Sequence, residues 1–403
     1  MAQNDVGVTK LENGNWEYRF VMVVDGKKVT SRKRKDEQGN PLTTKRAALK
    51  ARKEAMKKAQ LGITNTAPTA KKTVEEVYRE YCEKGRGGKA YATIRKQDSL
   101  WDNHLCARFG HRYIDEISVA EIVDYLTELY YTDGHAYKYV EAFLKMFYLI
   151  FGQAYTRNYL DVDTYSKLCL NKGTKIHMPK MKTSEEDDVA IFTREELARM
   201  DDYFSGSNGE TAYLLGKYCG LRINECYGLR WDNVNLEDGT ILIDRQMQYQ
   251  DGLIKLVQLK TRNARRTVMM NDRLKVYFQK LVQERAVAAE SMSAVRQQNQ
   301  TFITDLDGKM LSSLELVNSL PNGKIQTVNS MKYHSKTIKQ KLGIAFKFHY
   351  LRHTYGTHMA ELNTPPHLLC NQMGHGNIRV TQKYYIAVSQ TGLEILKANL
   401  NQI

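Results

Sequence analysis

The chain reads Phe348-His349-Tyr350-Leu351-Arg352-His353-Thr354 near its C-terminal end, and this stretch decides how the fold is interpreted. It is followed by Met373-Gly374-His375-Gly376-Asn377 and by Lys383-Tyr384-Tyr385. On a helix His349 and Arg352 would share one face, because residues three apart are neighbours. Tyr384 follows the second histidine by nine residues. A guanidinium, two imidazoles and a phenol suit chemistry on a phosphodiester, since Arg holds phosphate bidentately, His exchanges protons and Tyr can attack phosphorus.

A further cation lies far upstream, in Gly220-Leu221-Arg222-Ile223-Asn224-Glu225. Together these motifs resemble the signature of the tyrosine recombinases, or phage-type integrases, and are most like those of conjugative transposons. The resemblance covers roughly the last half of the chain. It implies a site-specific DNA recombinase that cleaves and rejoins strands through a 3′-phosphotyrosine, and so integrates and excises a mobile element.

The family pattern implies a role for each residue of the motifs. Two arginines would hold the scissile phosphate, one histidine would accept the tyrosine proton, and the second histidine would hydrogen-bond the phosphate. Lys260 follows a predicted strand in a basic turn, where its flexible stem would let it protonate the departing 5′-oxygen. Tyr384 would be the nucleophile. The resemblance therefore predicts the catalytic set Arg222, Lys260, His349, Arg352, His375 and Tyr384.

Some of these assignments have alternatives at the level of sequence. The family often shows Tyr-x-His-Val here, whereas this chain has Tyr385-Ile386-Ala387-Val388, so Tyr385 stays a rival nucleophile. The basic turn at Lys260 would also suit a loop that only follows the DNA backbone. Without the family, Arg222 and Glu225 are an ordinary surface ion pair, which contributes little stability.

The chemistry is expected to need no cofactor and no metal. Attack by the phenol conserves the bond energy as a phosphotyrosine, and the sequence has neither a Walker loop nor a clustered carboxylate site. His349 and His353 have the i, i+4 spacing of two zinc ligands, but no third ligand stands at a suitable distance in the sequence. A zinc site is therefore not predicted.

Charge indicates a polyanionic partner. The 403 residues carry a formal net charge of +15, and residues 1–72 hold 17 lysines and arginines against 7 acidic residues. A basic segment of this kind predicts contact with DNA, with a solvated tail as the alternative. The six scattered cysteines indicate free thiols, and neither a signal peptide nor a membrane span is evident. We expect a soluble DNA-associated protein of the bacterial cytoplasm with no membrane partner.

The expected fold is multidomain and mainly α with small β-sheets. Residues 1–65 predict an arm-type DNA-binding domain, because strand alternation around Trp16–Met22 lies between the turn signals Asn13-Gly14 and Asp25-Gly26 and is followed by a helix over about 44–60. Its three-stranded sheet plus helix resembles the N-terminal module of conjugative-transposon integrases. A small basic sheet packed on the rest of the protein is the alternative.

Helical periodicity predicts the remaining organisation. A core-DNA-binding bundle over 73–170 would have helices at about 74–84, 92–108, 118–131 and 136–158, two of them opened by capping boxes. Residues 61–72 and 171–189 would be linkers, the second free to cross a DNA backbone. The catalytic domain, 190–403, is expected to be a mixed α/β tyrosine-recombinase domain, mostly helical with one small sheet.

The expected partners follow from the resemblance. They are double-stranded DNA at core and arm sites, further subunits in a tetrameric synapse, and possible accessory DNA-bending or excision factors. A tail with Leu393, Ile395, Leu396 and Leu400 would pack on a neighbouring subunit. The rivals are a type IB topoisomerase-like enzyme and a non-catalytic architectural protein. The candidate DNA contacts are Arg19, Arg32, Lys33, Arg34, Arg95, Lys96, Lys180 and Arg262.

Overall fold

The computed structural model describes residues 7–24, 27–36, 39–60, 70–182, 190–386 and 397–401. The predicted turn at Asp25-Gly26, most of the 61–72 linker, residues 183–189 of the second linker and most of the tail lie outside these ranges. The chain divides into two compact units, Met1–Ser184 and Glu185–Ile403. Within the described ranges, every helix is too short or too polar to cross a lipid bilayer.

The N-terminal part of the first unit is the expected three-stranded sheet with one helix. The strands β1 (Val8–Lys10), β2 (Trp16–Val24) and β3 (Lys27–Lys33) pair antiparallel in that order and are followed by α1 (Lys45–Gln60). Tyr18 and Phe20 of the central strand are buried against Leu42 and this helix. Alternation along a strand turns every second side chain to the opposite face, so Arg19 and its cross-strand partner Arg32 point away from the helix.

A helical bundle completes the first unit, and its four predicted helices are present. Thr73 and Glu76 form the capping box that begins the first helix, which buries Val77 and Tyr78. Three of the α-helical segments run on into π-helical turns, at Trp101–Gly110, Glu128–Thr132 and Ser166–Leu170. The helices are α2 (Val74–Lys84), α3 (Tyr91–Leu100), α4 (Val119–Thr127), α5 (Tyr137–Thr156) and the short α6 (Val162–Tyr165), which the sequence analysis had not predicted.

Residues 171–182, the first part of the predicted second linker, follow the bundle surface. Ile176 is completely buried in the bundle core, and its carbonyl accepts a hydrogen bond of 2.7 Å from Tyr148. Tyr131 donates to the carbonyl of Lys180 at 2.6 Å, while the Lys180 side chain is exposed. This part of the segment is therefore held by tyrosine hydroxyls.

The second unit contains nine α-helices in its described part, and Phe348–Glu361 packs against Glu210–Cys219 through a shared core. Gly216 makes this close packing possible, because a Cβ there would lie 2.8 Å from the ring of Phe348. The helices are α7 (Arg194–Phe204), α8 (Glu210–Cys219), α9 (Ile223–Tyr227), α10 (Asp272–Ser291), α11 (Ser293–Asn299), α12 (Val328–Leu342), α13 (Phe348–Glu361), α14 (Pro366–Met373) and α15 (Ile378–Ile386).

The expectation of a single small sheet in the second unit is wrong, because its described strands form two sheets. In order of pairing, one sheet contains β4 (Val234–Asn235), β5 (Thr240–Ile243) and β8 (Arg266–Met269). The other contains β10 (Met310–Ser312), β9 (Phe302–Thr304), β7 (Leu253–Gln258) and β6 (Arg245–Gln250). The polar strand β6 had not been predicted, although Asp251 and Gly252 with positive φ form the tight turn that pairs it with β7.

Candidate active site

Arg352 lies at the centre of the candidate site, on α13, and only 1% of its surface is exposed. Its guanidinium donates to the carbonyl of Gly220 at 2.6 Å and to the carbonyl of Met373. Gly220 ends α8 in the left-handed conformation, and Met373 ends α14. Burial, followed by the charge of Arg222, lowers the Arg352 pKa to about 9, so this side chain is cationic at neutral pH. One buried cation thus ties together two helix ends.

Arg222 begins α9 and is held by Glu225, three residues later. Its Nη1 donates to Oε1 of Glu225 at 2.7 Å, and its backbone N–H donates to Oε2 at 3.0 Å. The Glu225 side chain is 1% exposed, whereas 37% of the Arg222 side chain remains exposed. The Glu therefore braces the turn, and the guanidinium keeps donors available to a ligand.

His349 lies one turn before Arg352 on α13, and part of its side chain stays accessible to solvent while the rest is covered by the site. Its ring is 4.6 Å from that of His353, measured between centroids. Desolvation of the imidazolium, then the nearby His353, Arg352 and Arg222, lowers the His349 pKa to about 4. At neutral pH this imidazole is uncharged and can accept a proton.

His375 is buried in the turn between α14 and α15. Its Nδ1 is 2.8 Å from the Thr381 hydroxyl, and its ring is stacked on Tyr384 with centroids 6.0 Å apart. Desolvation, then the charges of Arg352 and Arg222, lowers the His375 pKa to about 3. The contact with Thr381 leaves Nε2 as the ring nitrogen free for a ligand.

Tyr384 and Tyr385 are neighbours in the chain but have different surroundings. Tyr384 is buried, its ring lies 6.0 Å from both His353 and His375 between centroids, and no partner for its hydroxyl occurs among the described residues. Burial raises the Tyr384 pKa, and the charges of Arg352 and Arg222 oppose that shift. The hydroxyl of Tyr385 instead donates to the carbonyl of Thr364. Of the two phenols, Tyr384 is the one beside the arginines.

Lys260 is exposed in the connection between β7 and β8. The structure records no contact between its side chain and the other five predicted catalytic residues. The same connection leads directly into Arg266, which reaches the buried side of the site. The structure therefore brings five of the six predicted catalytic residues together and leaves Lys260 on the loop beside them.

Sequence reasoning missed three contributors to this site. Arg266 binds both oxygens of Glu225, and the Thr381 hydroxyl contacts His375. The Gln372 side-chain amide donates to the carbonyl of Met269 at 3.1 Å and accepts from the Met269 backbone N–H at 3.2 Å. A signal for Arg266 was available, because strand alternation places it on the same face as the fully buried Val268. An arginine on the buried face of a strand indicates a buried partner.

The candidate DNA contacts are exposed, and those of the N-terminal sheet occupy two faces. Arg32 and Arg34 bind the buried carboxylate of Glu17, at 2.7 Å and 3.3 Å, and Arg19 lies on the same face as the cross-strand partner of Arg32. Lys33 is paired with the core residue Tyr18 and therefore points to the opposite face. The positions exposed elsewhere are Arg95, Lys96, Lys180 and Arg262.

Metal binding has no candidate ligands in the described part of the chain, where no three His, Cys, Asp or Glu side chains are grouped to hold an ion.

The phage integrase family model matches residues 180–391, more than half of the chain. The chain belongs to the phage integrase family. It is accordingly a tyrosine-type site-specific DNA recombinase, with the fold and enzyme class predicted from the motifs confirmed.

Relatives agree with this membership, and solved structures share the fold. A tyrosine recombinase XerC-like protein of Caldanaerobacter subterraneus subsp. tengcongensis is 24% identical over 314 residues, 74% of each chain. The transposase from transposon Tn916 of Enterococcus faecalis is 24% identical over 320 residues, 76% of this chain and 69% of its own. The Tn1549 transposon integrase bound to circular intermediate DNA has a TM-score of 0.62 at 19% identity, over 81% of this chain and 99% of its own. A lambda integrase tetramer bound to a Holliday junction has a TM-score of 0.52 at 14% identity, and the match covers 95% of this chain and 96% of the solved chain.

Proposed function

We propose that this enzyme integrates and excises a mobile element, a conjugative transposon or a prophage, by cutting and rejoining DNA through a 3′-phosphotyrosine. The observation that carries the proposal is the buried phenol of Tyr384 beside two arginines and two uncharged histidines. Such a cluster is able to bind a phosphate, take up a proton and supply a nucleophile. The similarity to the Tn916 transposase supports the class of element.

In the proposed reaction the Tyr384 oxygen attacks the scissile phosphorus, and the bond from phosphorus to the 5′-oxygen breaks. His349 takes the phenolic proton, because its lowered pKa leaves it uncharged at neutral pH. Arg222 and Arg352 offset the charge on the phosphate oxygens, and His375 donates a hydrogen bond there. Lys260 gives a proton to the departing 5′-oxygen after its loop moves toward the bound DNA. Attack by the 5′-hydroxyl of another strand reverses these steps and frees the tyrosine.

The division of the chain into DNA-binding and catalytic parts belongs to the same proposal. Residues 1–65 would bind arm sites, 73–170 core sites, and 190–403 would carry the chemistry, with 171–189 as the connection. The exposed arginines on one face of the three-stranded N-terminal sheet support the first assignment, since a small sheet can enter a major groove as two-stranded ribbons do. Arg95, Lys96, Lys180 and Arg262 would contact phosphate in the other parts.

Strand exchange between two duplexes requires four cuts, and a tetrameric synapse on DNA would supply them in pairs. Accessory DNA-bending or excision factors would set the direction of reaction, and the bacterial cytoplasm is the expected location.

An apolar cavity of about 620 Å³ in the second unit offers a place for the tail of a neighbouring subunit. Its lining includes Leu197, Leu351, Met359, Leu368 and Leu369.

Covalent capture tests the proposed chemistry. The protein is incubated with a nicked site whose short 5′-hydroxyl fragment diffuses away after cleavage, so that the covalent complex accumulates. We expect a protein–DNA adduct at a 3′-phosphate, formed without metal or nucleotide. A topoisomerase-like enzyme would form the adduct but would not exchange strands between two duplexes carrying the element's ends. An architectural protein would form no adduct at all.

A further inference from the structure

We propose that Arg266 is a positioning residue for strand cleavage, acting through Glu225 to hold Arg222 in the orientation that receives the scissile phosphate. The proposal rests on the function proposed above. Arg266 is outside the set of residues expected to contact DNA or the reacting atoms. Its importance follows from which atoms it joins within the second unit.

The four donors around the Glu225 carboxylate come in equal numbers from the two arginines. Oε1 accepts from Arg222 Nη1 at 2.7 Å and from Arg266 Nη1 at 3.2 Å. Oε2 accepts from the Arg222 backbone at 3.0 Å and from Arg266 Nη2 at 2.9 Å. Arg222 is thus held at one edge of a carboxylate whose position is set from the other edge by Arg266.

Arg266 itself is unsuited to bind phosphate. Only 5% of its side chain is exposed. Besides Glu225, its Nε donates to the carbonyl of Gln372 at 2.8 Å and its Nη1 to the carbonyl of Ala264 at 2.9 Å. All three guanidinium nitrogens therefore have protein partners. A Cβ added to Gly374 would lie 2.8 Å from Arg266 Cδ, so the backbone of the His375 turn also packs directly on this side chain.

These contacts connect three parts of the site that are distant in sequence. Ala264 belongs to the connection that carries Lys260, Glu225 belongs to the turn of Arg222, and Gln372 belongs to α14 just before His375. Planar guanidinium geometry is required, because a lysine ammonium has three donors at one point and does not span these directions.

The buried pairing also keeps Glu225 ionised. Burial alone would raise the Glu225 pKa, but the charge and hydrogen bonds of Arg266, ahead of those of Arg222, lower it to about 2.

Removing the Arg266 side chain is expected to change the position in which Glu225 holds Arg222. The carboxylate would be left buried with Arg222 as its remaining guanidinium partner, and the Arg222 side chain would be drawn toward it and away from the phosphate. Misplacing a catalytic group by about 1 Å costs on the order of 100-fold in rate. We therefore expect Arg266→Met to slow cleavage by about that factor at saturating DNA, with little change in DNA affinity.

The experiment measures single-turnover adduct formation at saturating nicked DNA, together with DNA affinity and thermal unfolding. The variants are Arg266→Met, Arg266→Lys, the pair Glu225→Gln with Arg266→Gln, and Arg222→Ala. Arg265→Met is the matched control, because Arg265 is the exposed neighbour with the same charge. We expect Arg266→Lys to be intermediate, the double variant to cleave faster than Arg266→Met because no buried charge is left without its partner, and Arg265→Met to cleave normally.

A second substrate, with sulfur in place of the bridging 5′-oxygen, separates two routes of action. The thiolate leaves without a proton, so this substrate should restore Lys260→Ala and not Arg266→Met. Recovery of Arg266→Met would show that it acts through the Lys260 loop and would overturn the route through Arg222. Normal cleavage by folded Arg266→Met would also overturn the inference. If Arg266→Met does not fold, the same comparisons of cleavage rate are made with Arg266→Lys and with the double variant, and they test the inference in its place. Normal cleavage by Arg222→Ala would instead overturn the proposed function itself.

Discussion

The ring of Tyr384 lies directly against the backbone of Gly356, such that a Cβ at Gly356 would stand 3.0 Å from three ring atoms. Gly356 is on α13, one turn after Arg352. The absence of a side chain at this position lets the α15 tyrosine approach the helix that carries the arginine. The relationship sets the distance between the proposed nucleophile and the phosphate site.

Gly356→Ala is expected to slow adduct formation while leaving DNA affinity unchanged. The methyl group would displace the Tyr384 ring by a few tenths of an ångström, which corresponds to roughly a tenfold loss when 1 Å costs about 100-fold. Gly152→Ala in α5 is the matched control, because a Cβ there meets no atom within 4 Å. Equal adduct rates for Gly356→Ala and Gly152→Ala would contradict the prediction.

Tyr384→Phe should abolish the covalent adduct, and Tyr385→Phe should retain it. The second substitution removes only the hydrogen bond to the Thr364 carbonyl, a loss of about 1 kcal/mol in the free energy of unfolding. Gel analysis of captured complexes, followed by peptide mapping of the DNA-linked residue, measures both effects. Mapping of the DNA to Tyr385 would reverse the assignment of the nucleophile.

Arg222→Ala and Arg352→Ala are both expected to bind DNA and fail to cleave, but to differ in stability. Arg222 is partly exposed, and Arg266 still pairs with the buried Glu225 when Arg222 is lost, so the thermal unfolding midpoint should fall less for Arg222→Ala than for Arg352→Ala. Arg352 is buried and serves the carbonyls of Gly220 and Met373, and each carbonyl left unsatisfied costs about 1–3 kcal/mol. Thermal unfolding beside adduct formation separates the two. Equal unfolding midpoints for both variants would argue against a bracing role for Arg352.

The two histidines predict a dependence of stability on pH. Their pKa values in the folded chain are about 4 for His349 and about 3 for His375, below the usual value near 6.5. The unfolded chain therefore binds protons first, and the free energy of unfolding should fall as pH drops from about 6.5 toward 4 and 3. Denaturant unfolding at several pH values should show a smaller decline for His375→Gln than for the parent. A steeper decline in that variant would contradict the lowered pKa.

The face of the N-terminal sheet that carries Arg19, Arg32 and Arg34 is expected to bind arm-site DNA. Arg19→Ala should weaken binding of arm DNA and reduce the slope of log affinity against log salt by about 1. Lys33→Ala, on the opposite face, is the control with the same loss of charge. The readouts are arm-DNA affinity at several salt concentrations and cleavage of a short core substrate, which should not change. If both variants weaken arm binding equally, the DNA does not select this face.

Much of this protein follows from local sequence. Capping boxes at Thr73 and Thr193 begin α2 and α7, and alternation in Trp16–Val24 gives a half-buried strand. These features depend on residues three or two positions apart, which share a helix turn or a strand face whatever the rest of the chain does. One family motif is local in the same sense, since His349 and Arg352 are three residues apart and share a face of α13.

Only the tertiary structure decided which chemical groups meet. The spacing of nine residues from His375 favours Tyr384 but leaves Tyr385 as a rival. The packing of α15 on α13 turns Tyr384 toward Arg352 and Tyr385 toward Thr364. The contact of Arg266 with Glu225 joins residues 41 positions apart, and β7 pairs with β6 and β9 while β8 joins another sheet. Such contacts depend on how elements far apart in sequence pack, because burial and shape select among partners that local periodicity leaves equivalent.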